Sequence, residues 1–212
     1  MTSLLLAFLL VLLAPLFLAN WRTSLAGLAG QGVLLAAMNY RLHGAELTAA
    51  NLLSVVDLAV LRGLVAPVVL YRVLQDRNAP DRNDVLPPNM LAWAAAIGVV
   101  LLAFRVASDL VPLDSDARML TAVCGSGVLL GFLVLATQVG VFSQIIGVLR
   151  LENAVALFEL GLPERSGDAA GFLGLALGQA LVYLATIALC RYYLHEAPVV
   201  AIADPAPEFD DD

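Results

Sequence analysis

The chain is poor in charge and has no lysine at all. Charged residues make up 14% of its 212 residues, and every one of the eleven basic residues is an arginine. These arginines are spread thinly along the sequence and form no basic patch of the kind that binds nucleic acid. The sequence therefore excludes nucleic acid as a partner.

Cysteine and histidine are also scarce. Cys124 and Cys190 lie in apolar segments without metal-ligand spacing, and His43 and His195 lie near predicted helix ends. The sequence has no nucleophile elbow, phosphate-binding loop, His-Glu-x-x-His or Cys-x-x-Cys motif. We therefore predict no metal site, no cofactor and no catalytic site in this chain.

Apolar residues, by contrast, make up 61% of the sequence, well above the share in a soluble domain. Since a transmembrane helix needs about 20 apolar residues, this excess predicts an all-α membrane protein with the lipid bilayer as its surroundings. Apolar runs bounded by turn or charge signals place seven transmembrane helices at about 3–20, 22–42, 48–75, 89–111, 118–138, 139–161 and 168–195.

The order of these helices suggests four regions. Residues 1–75 form an N-terminal three-helix unit, 76–117 a polar loop and linker helix, 118–195 a second three-helix unit, and 196–212 an acidic, disordered tail. The starts of the second and sixth helices, 21–30 and 141–147, are similar enough to suggest an internal duplication.

Arginines near the helix ends predict the orientation, because arginine-rich loops tend to stay in the cytoplasm. An outside N-terminus leaves only Arg41, Arg118 and Arg165 outside. The acidic tail is then cytoplasmic, on the same side as Arg22, Arg72, Arg77, Arg82 and Arg191.

Polar residues inside the predicted spans are the candidates for function, because charges in hydrocarbon are costly and usually face a partner or water. At about 1.5 Å per residue, several of them fall close to the middle of the bilayer. The candidates for ion translocation are Asp57 and Arg62 in the third helix, Arg150, Glu152 and Glu159 in the sixth, and Gln179 in the seventh.

Helical spacing predicts how these charges pair. Arg150 and Glu152 are two residues apart and point to different sides, and Asp57 and Arg62 are also badly placed for each other in an α-helix. We therefore expect crossed pairs, Asp57 with Arg150 or Arg62 with Glu152. The alternative for Glu152 is a buried ion pair that only fixes helix packing.

Glu152 and Glu159 share a helix face, so a polar path could run from the middle of the membrane toward the outer surface. Alternatively, Glu159 merely faces the outer headgroups. Arg105 and Asp109, one turn apart, are expected to form a structural pair. Glycines are expected to mark closely packed helix faces, at Gly27, Gly30, Gly32, Gly125, Gly127, Gly131, Gly171, Gly174 and Gly178.

The segment 140–158, GVFSQIIGVLRLENAVALF, resembles the middle helix of the small K subunit of respiratory complex I. Over nearly the full chain, the layout is similar to the hydrogenase-4 component E family, the membrane subunit of formate-hydrogenlyase-type and related energy-converting hydrogenases. Gly147 followed by Glu152-Asn153, and Arg62 followed by Pro67, match patterns of that family. The K subunit instead has an acid where this chain has Leu149.

The K subunit also has an acid in its last helix, where this sequence has Gly178 or Gln179. These departures favour the hydrogenase type over a true K subunit. They also interrupt a carboxylate relay, because glutamine can hydrogen-bond a water chain but cannot carry a proton.

The resemblance implies a non-catalytic subunit of a larger oxidoreductase in the bacterial inner membrane, with antiporter-like and other membrane subunits as partners. It makes residues 118–195 a K-like unit. In that reading, Glu152 is the central titratable group, Arg150 and Arg62 tune it, and the polar route extends through Asp57, Gln179 and Glu159. Two alternatives remain open: a purely structural membrane subunit, and a C-like subunit of a multisubunit cation/proton antiporter.

Overall fold

The computed structural model describes residues 1–17, 20–43, 49–79, 90–111, 115–138, 140–161 and 169–197. In these ranges the chain is helical, with seven helices, as the apolar runs predict. Their bounds are α1 Thr2–Phe17, α2 Trp21–His43, α3 Ala49–Asp76, α4 Met90–Leu110, α5 Ser115–Thr137, α6 Val141–Leu160 and α7 Ala169–Glu196.

Five helices in the described residues are long and apolar enough to cross a membrane: α3, α4, α5, α6 and the Ala176–Glu196 part of α7. The apolar stretch Thr2–Leu13 of α1 is shorter, and α2 is not among the five. This composition is that of a multi-pass membrane protein.

The third helix changes its winding along its length. Ala49–Val55 and Ala66–Asp76 are α-helical, whereas Val56–Val65 is a π-helix, whose hydrogen bonds join residues five apart. Pro67 follows directly in the first turn of the second α segment. Because proline has no amide hydrogen, the regular hydrogen-bond ladder is interrupted where the winding changes.

α2 packs against α1, α3 and α6. Its first half joins the first half of α6 in one apolar cluster, which includes Leu28 and Ile146, and its second half joins the second half of α6 in another, which includes Leu35 and Leu157. Between these clusters lie buried polar side chains. We define the polar layer as Gln31, Asp57, Arg62 and Asn153.

Two glycines allow α2 and α3 to cross in nearly direct backbone contact. A Cβ atom added to Gly32 would overlap the backbone N and Cα of Gly63 and lie 2.7 Å from the carbonyl carbon of Arg62. The predicted role of Gly32 in close packing is therefore confirmed. The crossing lies beside the polar layer, so it also positions Arg62 against α2.

The last helix, α7, packs along α3 and has a smaller contact with α6. At its C-terminal end, the guanidinium of Arg77 donates a hydrogen bond to the backbone carbonyl of Ala197, just beyond α7. The division into two three-helix units and a linker stays a prediction. Most of the predicted loop, residues 80–89, and the tail from residue 198 onward lie outside the described residues.

Candidate functional site

An ion pair between Asp57 and Arg62 forms the centre of the polar layer. Arg62 Nε donates a hydrogen bond to Asp57 Oδ2 over 3.0 Å, and the two side chains are only 3% and 6% exposed. In an α-helix, side chains five residues apart point in different directions. In the π-helical segment one turn takes more residues, so residue 62 comes to lie near residue 57 on the same face.

Arg62 also binds the sixth and seventh helices. Its Nη1 donates to the backbone carbonyl of Glu152 over 3.0 Å and to Asn153 Oδ1 over 3.4 Å. Its guanidinium carbon lies 4.1 Å from the centre of the Tyr183 ring, a cation–π contact. One side chain of α3 is therefore held against α6 and α7 at once.

Asn153 extends the layer to α2, since its Nδ2 donates to Gln31 Oε1 over 3.1 Å. Both amide side chains are fully buried, as expected for polar groups that are hydrogen-bonded to each other. The layer thus connects α2, α3 and α6 through side-chain hydrogen bonds.

The predicted crossed pairs were wrong. Asp57 pairs with Arg62 of its own helix instead of with Arg150, and Arg62 binds the backbone carbonyl of Glu152 instead of its carboxylate. The prediction assumed α-helical spacing throughout α3. The π-helix changes which residues share a face, and the sequence pattern did not indicate it.

Arg150 lies apart from this network. Its side chain is 1% exposed, and its three guanidinium nitrogens have no hydrogen-bond partner in the part of the chain that the structure describes. It lies on the buried face of α6, whereas Glu152 is only half-buried, so the two do point to different sides as expected. The predicted influence of Arg150 on Glu152 stays a prediction.

We expect Arg150→Met to raise the free energy of unfolding by about 1–4 kcal/mol, because methionine fills a similar space without burying an unpaired charge. Thermal unfolding of the purified chain in detergent would measure this. Arg62→Met is the matched comparison and should destabilise, since it leaves Asp57 unpaired. If Arg150→Met lowered the free energy of unfolding as much as Arg62→Met, the result would contradict the structure.

A cavity of about 410 Å³ lies next to the polar layer, between α3, α6 and α7. Four of the six predicted site residues line it: Arg62, Glu152, Glu159 and Gln179. The remaining walls are small or apolar, formed by Val155, Ala156, Gly174, Gly178 and Val182. The cavity thus brings most of the charged and polar candidates to one place.

The cavity extends along α6 from near its middle, at Glu152, to its last turn, at Glu159. Glu159 and Gln179 line this cavity together, from α6 and α7. Glu159 lies in the last turn of α6, so the alternative that it faces the outer headgroups stays open. A polar surface therefore leads from Arg62 toward one end of the helix.

Two of the expected packing glycines are not packed. Among the described residues, a Cβ atom at Gly174 or Gly178 would meet nothing within 4 Å, whereas one at Gly127 or Gly131 would meet α6. The prediction was therefore wrong for packing of Gly174 and Gly178 against other helices of this chain. Both positions border the cavity instead.

Sequence reasoning did not select Gln31, Asn153 and Tyr183 as site residues, although each contributes to the network around Arg62. A signal was available for two of them. Gln31 is a polar residue in the middle of a helix, and Tyr183 follows Gln179 by one helical turn. Nothing in the sequence indicated that Asn153 would be hydrogen-bonded to both Arg62 and Gln31.

Within the described residues, no group of three or more His, Cys, Asp and Glu side chains could hold a metal ion. Comparisons of the chain with models of protein families, with curated proteins and with solved structures give no match.

Proposed function

We propose that this chain is a membrane-arm subunit of a complex I-like hydrogenase or related redox complex, contributing to proton or sodium translocation coupled to electron transfer. The observation that carries the proposal is the cavity that joins Glu152, Glu159 and Gln179 to the buried Arg62. A charged and polar route of this kind in a membrane bundle is the usual mark of an ion or proton pathway. The resemblance of residues 140–158 to the K subunit is the reason for proposing a complex I-like assembly.

In this proposal the residues have different tasks. Arg62 is a fixed cation, since Asp57, the Glu152 carbonyl and Tyr183 hold it in place. Glu152 and Glu159 are the groups that take up and release the ion or proton, because their carboxyl groups line the cavity. Gln179 cannot carry a proton, but its amide can orient water between the two carboxyl groups.

The same proposal assigns the protein to the bacterial inner membrane, with all seven helices as spans, the N-terminus outside and the tail in the cytoplasm. Antiporter-like and other membrane subunits are its partners. Mass spectrometry of proteins that co-purify with the tagged chain tests this assignment. A nickel–iron hydrogenase large subunit among them supports it, and partners without nickel or iron–sulfur centres would point to a cation/proton antiporter.

We expect Glu152→Gln to lower ion translocation by the intact complex about tenfold or more, because glutamine keeps the shape but cannot exchange a proton. The measurement is ion uptake into membrane vesicles, normalised to the amount of assembled complex and to its electron-transfer rate. Glu196→Gln is the control, since Glu196 is an exposed carboxyl group at the end of α7. Unchanged coupling in Glu152→Gln would refute the role of Glu152.

A structural subunit is the second candidate, and the polar layer itself favours it. Gln31, Asn153, Arg62 and Asp57 form a continuous set of hydrogen bonds across three helices, which can hold this subunit's bundle together without any titration. In that case Glu152→Gln would reduce the amount of assembled complex, and the complex that remained would translocate ions at the normal rate.

A further inference from the structure

The cavity beside Arg62 is open on one side of the bundle. Gly174, Gly178, Val155 and Val182 all line it and are exposed at the protein surface. No atom of the residues that the structure describes lies within 4 Å of a Cβ atom added at either glycine. The gap between α6 and α7 is therefore a groove, which we call the α6–α7 groove and define by the residues that line the cavity.

The charge in the α6–α7 groove is not balanced by the described residues. Arg62 is the one basic residue that lines it, and Asp57 already occupies its Nε. Glu152 and Glu159 add two further carboxyl groups, and the Glu152 carboxyl group has no hydrogen bond or ion pair within the described residues. Three acids thus share one guanidinium.

Lipid is a poor occupant for such a groove. Acyl chains offer neither a cation nor a hydrogen-bond donor, so they would leave the Glu152 carboxyl group unpaired in hydrocarbon. A protein helix can offer both, and exposed glycines allow its backbone to approach closely. The apolar side chain of Val182 beside the glycines suits contact with a second apolar helix.

We propose that the α6–α7 groove is the docking site for a transmembrane helix of a partner subunit, and that this helix carries a lysine or arginine opposite Glu152. The proposal rests on the proposed function, in which the chain is one subunit of a membrane arm. A docked helix closes the open side of the cavity and converts it into an enclosed path. It also supplies the cation that the groove lacks.

A second copy of this chain that presented α4 would not provide that cation. The exposed arginine on α4, Arg105, lies 3.6 Å from Asp109 and is already paired with it, as the sequence predicted. A copy presenting α4 would therefore bring no net positive charge to Glu152.

The test uses the complete complex in native membranes, with a photo-reactive benzoylphenylalanine in place of Val182. We expect it to cross-link to an apolar segment of another subunit that contains a lysine or arginine. Replacing that basic residue by methionine should lower the cross-linking yield about tenfold, the change that corresponds to ~1.4 kcal/mol. Cross-links to lipid only, to a second copy of this chain, or to a segment without a basic residue would each overturn the proposal.

A pair of glycine variants supplies the matched comparison. Gly178→Leu fills the groove, whereas Gly98→Leu adds the same side chain on α4, where a Cβ atom also meets no described residue within 4 Å. We expect Gly178→Leu to lower recovery of the cross-linked partner about tenfold and Gly98→Leu to leave it unchanged. Equal recovery for both variants would refute the docking site.

The two proposals can fail separately. If Glu152→Gln abolishes ion translocation but Gly178→Leu retains the partner, the docking site is wrong and the proposed function stands. If Gly178→Leu loses the partner while Glu152→Gln leaves coupling unchanged, the groove binds a helix and the ion pathway is wrong.

Discussion

Asp57→Asn should lower the free energy of unfolding by about 3–5 kcal/mol, because it leaves the buried charge of Arg62 without its partner. Asparagine has nearly the same size as aspartate, so the loss reports on charge and not on packing. Both side chains are almost fully buried, and the Nε–Oδ2 distance is 3.0 Å. Thermal or denaturant unfolding of the purified protein in detergent measures the effect.

The control for Asp57→Asn is Asp109→Asn. Asp109 pairs with Arg105 over 3.6 Å, but these side chains are 62% and 76% exposed, and exposed ion pairs contribute little to stability. Combining Asp57→Leu with Arg62→Met should recover part of the lost stability, since no uncompensated charge remains. An equal effect of Asp57→Asn and Asp109→Asn would contradict the burial of the Asp57–Arg62 pair.

Gly32→Ala should destabilise the bundle by about 3 kcal/mol, the upper end of the usual cost of overpacking. The added methyl group would overlap backbone atoms of Gly63, and backbone cannot move aside as a flexible side chain can. Relief of the clash requires α2 and α3 to separate, which would also draw Arg62 away from Asn153. We therefore expect a lower melting temperature together with weaker association with partner subunits.

Gly30→Ala provides the comparison for Gly32→Ala. Two positions earlier on the same helix, the added Cβ would lie 3.2 Å from a side-chain methyl group of Val11, which needs to shift by only a few tenths of an ångström. The loss of stability in Gly30→Ala should be much smaller than that in Gly32→Ala. If the two variants melted at the same temperature, the close crossing of α2 and α3 would be disproved.

Both predictions concern the same level of the bundle. Gly32 follows Gln31 in α2, and Gly63 follows Arg62 in α3. The helix crossing and the polar layer are therefore adjacent along both helices. Close contact of the backbones is what allows the α3 arginine to reach α6. Stability and the geometry of the candidate site therefore depend on one another here.

The seven helices could be predicted from the sequence because they depend on local composition. Runs of about 20 apolar residues interrupted by prolines and charges determine where helices begin and end, and α4 begins at Met90, directly after the polar stretch that contains Pro87 and Pro88. The candidate site residues could be selected from the sequence for a similar reason. A charge inside an apolar run is costly wherever the helix lies, so Arg62 and Glu152 were selected without knowledge of their neighbours.

The pairing of these charges was decided only by the tertiary structure. Helical spacing assigned Asp57 and Arg62 to different faces, but the π-helical winding of α3 brings them together. Whether a glycine is packed or open also depends on which helix lies opposite, so Gly131 and Gly178 look alike in the sequence and differ in the fold. The sequence by itself determined which segments form apolar helices long enough to cross a membrane, because transfer into hydrocarbon is a property of each segment. Only the assembled helices determined which of these residues meet, because contacts depend on winding and on neighbours distant in the chain.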